Sequence, residues 1–125
     1  MPNKRILLVE DDLMNMRLAQ HVLETEGYTV VKATTGQEAL KQIESTLPDL
    51  ILMDLQLPDI DGMTLVRILS EKAMTRDTTI LALTAYAMKG DRERILQIGC
   101  NGYIPKPINV QDFINTVRRY LGSGN

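Results

Sequence analysis

Carboxylates stand in this sequence where buried strands would give way to loops. Glu10, Asp11 and Asp12 follow the apolar run "ILLV", and Asp54 follows "LILM". Two further polar residues end apolar segments in the same way, Thr84 after "ILAL" and Lys106 after "GYIP". If these segment ends are neighbours, they make one patch of acids with a hydroxyl and an ammonium beside them. Several carboxylates in a small pocket force at least one pKa upward unless positive charge is supplied. Lys106 alone is too little for the whole group, whereas a divalent cation would serve. The candidate ligands are all oxygen, which suits a hard cation. With few protein ligands and the remaining positions left to water and a phosphoryl oxygen, Mg²⁺ fits better than Ca²⁺.

Each residue also has an ordinary reading. Asp12 is a good helix N-cap, and Glu10 and Asp11 taken alone could be a solvated strand end. Asp59 and Asp61 follow Pro58, where acids are common for local hydrogen-bonding reasons. Thr84 or Lys106 in isolation would attract no notice. Asp54 resists such a reading, because it ends an apolar strand and has no obvious partner nearby in sequence; an unpaired charge there is expensive. The single histidine, His21, falls in a helix body far along the chain from the patch and reads as a solvated or partly buried side chain. The single cysteine, Cys100, can make no intramolecular disulfide and reads as a small apolar thiol.

The elements that must position these residues follow from periodicity. Apolar runs at 5–9, 28–33, 49–53, 79–83 and 102–104 alternate with segments of helical period at 13–26, 36–45, from near 61, 91–98 and 110–121. Runs one, three and four are apolar without alternation, as expected of parallel strands covered on both faces. The first helix presents Leu13, Met16, Ala19, Val22 and Leu23 on one stripe. Strict βα alternation predicts a flavodoxin-like doubly wound (βα)5 fold with helices on both faces of a five-stranded parallel sheet of order 2-1-3-4-5. Pro105 and Pro107 lack backbone N–H groups, which favours an edge position for strand 5. In such sheets, ligands bind outside the carboxyl ends of the strands, where the patch lies.

The chain has 125 residues, 44% hydrophobic and 24% charged, with a formal net charge of -2. This suits one globular domain over 1–125, with a core of about 4–121. Mild acidity and the lack of long basic runs argue against direct nucleic-acid binding. No apolar segment approaches the roughly 20 residues that span a bilayer. The start "MPNKRILLVEDD" lacks the features of a signal peptide, so a cytoplasmic location is expected.

Taken together, "LLVEDD", "LILMDLQLPDIDG", "ALTAYA" and "GYIPKPI" resemble the receiver domain of two-component response regulators, from about Lys4 to Leu121. The resemblance implies that Asp54 accepts a phosphoryl group from a partner phosphohistidine. It implies Mg²⁺ ligands in Asp11, Asp54 and the backbone carbonyl of Gln56, with Glu10 acting through water. It implies switch roles for Thr84, Lys106 and Tyr103, and a cis peptide bond before Pro107. Gln56 and Tyr86 would tune loss of phosphate. The implied protein is a signalling receiver rather than an enzyme, activating only its own aspartate.

The same resemblance implies docking of a histidine kinase or phosphotransfer protein near the first helix, around Met14, Asn15 and Leu18; Met14 and Leu18 could equally be core. It implies output through the helix 4, strand 5, helix 5 face, as a monomer or a phosphorylation-linked dimer. The sequence is most similar to small single-domain regulators of the DivK type, with no output domain expected; a receiver segment of a hybrid kinase is the alternative. A flavin carrier on the same fold fits poorly, because the loop "EDDLMN" is anionic and Trp is absent. A dehalogenase-type phosphatase would want a second Asp where Gln56 stands.

Overall fold

The computed structural model describes residues 4–85 and 89–122. Ten elements alternate: β1 (Arg5–Val9), α1 (Leu13–Thr25), β2 (Thr29–Ala33), α2 (Gly36–Ser45), β3 (Leu50–Asp54), α3 (Gly62–Glu71), β4 (Thr79–Thr84), α4 (Lys89–Gln97), β5 (Gly102–Pro105) and α5 (Val110–Leu121). The strands form one parallel sheet in the order β2-β1-β3-β4-β5, with β5 at an edge.

Alternate residues of each strand enter two cores. Leu7, Val9, Ile51, Met53, Ile80 and Ala82 pack under α2, α3 and α4. Ile6, Leu8, Leu50, Leu52, Leu81 and Leu83 pack under α1 and α5, with Phe113 and Val117 from the latter. Burial on both faces explains why these strands are apolar throughout. Cys100 is buried in the first core and its thiol is pushed up to about 12 by that burial, so it stays a packed, protonated group.

Helix starts follow local chemistry. Asp12 accepts from the Met14 and Asn15 N–H groups, Thr35 from Glu38, Asp61 from Met63 and Asn109 from Asp112. At the opposite end of the sheet from the acids, Glu26 pairs with Arg118 and the buried Tyr28 donates its hydroxyl hydrogen to the Gly122 carbonyl.

Several details differ from the periodicity reading. β3 and β4 extend through Asp54 and Thr84, because backbone pairing continues past the last apolar residue. α4 is described from Lys89 to Gln97, beginning two residues before Asp91. Leu13 is 64% exposed rather than part of the α1 stripe. As the first helical residue its side chain leans toward the helix N-terminus, beyond the sheet that covers Met16 and Ala19. No helix among the described residues is long and apolar enough to cross a membrane.

Candidate phosphoryl and metal site

The parallel register sets the patch. Val9 pairs with Met53, so the next residues, Glu10 and Asp54, lie side by side at the carboxyl ends of β1 and β3. Thr84 pairs with Pro105, and the Lys106 N–H donates to the Thr84 carbonyl at 2.9 Å, which starts Lys106 just past the end of β5. From there its side chain reaches across to the two central strands. Nζ lies 3.1 Å from Asp54 Oδ2 and 3.1 Å and 3.2 Å from the two Glu10 oxygens. The Lys106–Pro107 peptide bond is cis.

Glu10 is completely buried and Asp54 is 3% exposed, whereas Asp11 is exposed. Glu10 is therefore no solvated strand end. Asp54 also finds a local partner that the side-chain sequence does not announce: the Gln56 N–H donates to Oδ1 at 2.9 Å. Burial pushes Glu10 up, the adjoining Asp54 adds to this, and Lys106 only partly opposes it, leaving Glu10 at about 7. Burial also acts on Asp54, but hydrogen bonds from Glu10 and Gln56 together with Lys106 outweigh it and hold Asp54 below the usual carboxylate range. Lys106 is driven up: the two acids more than offset its own desolvation. Two carboxylates sharing one ammonium are thus driven apart, Glu10 upward and Asp54 downward.

One carboxylate oxygen from each of Glu10, Asp11 and Asp54 lies within 4.8 Å of the others. This all-oxygen set at the mouth of the sheet fits a hard divalent cation with water completing its shell. The loop after β3 closes the other side. Gln56 bridges to Asp61, and Gly62 donates its N–H to the Leu55 carbonyl at 3.2 Å. A Cβ on Gly62 would stand 2.4 Å from Leu55 Cα and 2.7 Å from the Asp54 carbonyl oxygen, so only glycine lets α3 begin this close to Asp54.

Thr84 is 2% exposed one strand away from Asp54 and lines, with Gln56, Asp61, Asp91 and Arg94, a cleft of about 350 Å³. Tyr103 is half-buried against the α3 and α4 side, with the Arg92 guanidinium carbon 5.3 Å from its ring centre. Met14 is 81% exposed and is surface rather than core; Leu18, 38% exposed, is part surface and part covered. Asn15 is half-buried and His21 is exposed. Tyr86 lies outside the described residues.

Asp59 keeps the local turn contacts expected of it, with the Asp59 and Ile60 N–H groups, and gains a long-range one that the sequence did not indicate. Its carboxylate also accepts the Gly36 and Gln37 N–H groups at 2.8 Å and 3.0 Å, at the start of α2. Asp61 caps locally.

Comparison with known proteins agrees with this arrangement. The polar-differentiation response regulator DivK of Brucella ovis is 44% identical over 119 residues, covering 95% of this chain and 97% of that protein. The receiver domain of sensor histidine kinase PA1611 from Pseudomonas aeruginosa PAO1, solved with a magnesium ion in its active-site cleft, is 37% identical. It superposes with a TM-score of 0.87 over 97% of this chain and 99% of that one. A CheY-like receiver domain protein from Methanospirillum hungatei JF-1 is 33% identical, with a TM-score of 0.86 over 95% and 94% of the two chains. The sequence profile of the response regulator receiver domain matches residues 6–118, most of the chain, so strand-end acids, sheet order and relatives converge: this protein belongs to the response regulator receiver family of two-component signalling.

Proposed function

We propose that Asp54 is the phosphoacceptor of a phosphorelay switch. The observation that carries this is the buried Asp54 carboxylate held 3.1 Å from Lys106 beside Glu10 and Asp11. Its oxygen attacks phosphorus, the bond from phosphorus to the donor histidine nitrogen breaks, and the imidazole keeps the electron pair. Asp11, Asp54 and the Gln56 carbonyl would hold Mg²⁺, with Glu10 acting through water. When bound, Mg²⁺ screens the approach of two anions and draws charge from the phosphoryl oxygens.

Lys106 pairs with the transferred group, which carries close to two negative charges. Thr84 donates its hydroxyl to another oxygen, and Tyr103 follows it inward, changing the surface of α4, β5 and α5. That face carries the signal to a protein target, with or without phosphorylation-linked pairing of two copies. Gln56 and Tyr86 set how fast water reaches the phosphoryl group. The exposed Met14 and Leu18 beside the acids receive a histidine kinase or phosphotransfer protein. We assign the chain one receiver unit of about 4–121, acting in the cytoplasm without direct nucleic-acid contact.

The test is incubation with Mg²⁺ and acetyl phosphate or phosphoramidate, followed by intact mass measurement. The wild type gains one phosphate and Asp54→Asn gains none. Absence of any gain in the wild type would overturn the assignment.

A further inference from the structure

The first turn of α2 leaves backbone N–H groups that no helical carbonyl can reach. Thr35, the N-cap, satisfies only the Glu38 N–H, at 3.1 Å. The N–H groups of Gly36 and Gln37 are taken instead by Asp59, one on each carboxylate oxygen, 23 and 22 residues away. These donors, the Gly36 N–H foremost, hold the Asp59 carboxyl below its ordinary range, so it stays ionised near neutral pH. The contact is steric as well. A Cβ on Gly36 would lie 2.2 Å from Ile60 Cγ2, so the next loop residue occupies the space that glycine leaves open.

Asp59 and Ile60 sit in the loop between Asp54 and Gly62. The near end of that loop carries Gln56, fixed by its N–H bond to Asp54 and its bridge to Asp61. The outer turn has its anchor on α2, across the neighbouring loop. Given the metal role proposed above for the Gln56 carbonyl, on which this step rests, the geometry points to Asp59 as a positioning residue of the metal site: by closing the N-terminus of α2 it holds the loop that presents Gln56. Ligand groups need support to within about 0.5 Å, and losing a supporting hydrogen bond commonly costs about 10–100-fold in metal affinity.

The test is direct metal binding, read from the electron paramagnetic resonance signal of free Mn²⁺ and by Mg²⁺ competition, beside thermal unfolding without metal. Asp59→Ala weakens Mn²⁺ binding about tenfold. Asp59→Asn, which keeps one acceptor oxygen, weakens it less, and carries the comparison if Asp59→Ala does not fold. Thr35→Ala removes the other cap of the same helix, so it lowers Tm but leaves affinity within about twofold, which a merely helix-stabilising role for Asp59 would not predict. Unchanged affinity in both Asp59 variants, or an equal loss in Thr35→Ala, overturns the inference. An Asp11→Ala arm separates the two readings: wild-type binding that survives this change undiminished overturns the metal site itself, and the inference with it.

Discussion

Lys106 Nζ stands 3.1 Å from Asp54 Oδ2 and serves Glu10 at the same time. The lysine comes from the sheet edge and the acids from its centre, so one side chain ties three strands at their carboxyl ends. The ammonium occupies the flank of the carboxylates that a cation would also neutralise. Lys106→Met removes that competitor and leaves two buried acids uncompensated. It should tighten Mn²⁺ binding several-fold while costing roughly 3 kcal/mol of metal-free stability at pH 8. Phosphorylation by acetyl phosphate should slow about 100-fold, as when one preorganised donor is lost from a charged transition state. A rate equal to wild type would remove Lys106 from the chemistry.

The raised Glu10 pKa gives a pH dependence of definite sign. Its folded value, about 7, lies above the ordinary value of 4.5. A raised carboxyl contributes stability fully below the unfolded value and loses it as pH rises through the folded one. Metal-free protein should therefore become less stable between pH 5 and pH 8, by at most about 3 kcal/mol, since each tenfold change in proton affinity is worth about 1.4 kcal/mol. Asp54 works in the opposite sense, its depressed pKa contributing stability that is lost only as pH falls through the acid range. Urea titrations across this window should slope downward with pH for the wild type and lie flat for Glu10→Gln. Proton and metal compete for the same pocket, so divalent affinity should rise over the same interval.

Two glycines give opposite expectations for one substitution. At Gly62 a methyl group meets backbone atoms at 2.4 Å and 2.7 Å that cannot turn aside. Gly62→Ala should cost about 2–3 kcal/mol and displace the start of α3 from Asp54. Gly90, inside α4, has nothing within 4 Å of the corresponding point. Gly90→Ala should stabilise the protein by up to about 1 kcal/mol through helix propensity. Thermal unfolding of the pair checks both, and equal shifts would contradict the packing described.

The sheet was legible because doubly covered parallel strands leave apolar runs that helices cannot imitate at that length, and the acids at their ends marked the carboxyl edge. Partition within the patch was not legible. Glu10 and Asp11 are adjacent and chemically alike, yet one is fully buried and the other exposed, a consequence of strand register. Asp59 was read incompletely for another reason: its local turn contacts are present, but a bond spanning 23 residues leaves no local trace. The Leu13 reading failed at a helix end, where spacing continues although the sheet beneath does not.

Met14 and Leu18 allow docking to be separated from chemistry. Both project from the first turns of α1 beside the acids, with Met14 81% exposed and Leu18 38% exposed, so both present apolar surface to a partner. Asp12 caps this helix through backbone N–H groups, so serine at either position leaves the cap intact. Neither side chain is among the carboxylates or the lysine that make up the site. Met14→Ser with Leu18→Ser should thus leave phosphorylation by acetyl phosphate within about twofold of wild type. Transfer from a phosphorylated histidine kinase or phosphotransfer protein that serves the wild type should fall by about tenfold or more, since truncating buried apolar anchors commonly costs above 1 kcal/mol each. Equal losses with both donors would mean that the pair supports the pocket rather than the partner, and no loss with either would move the docking surface elsewhere.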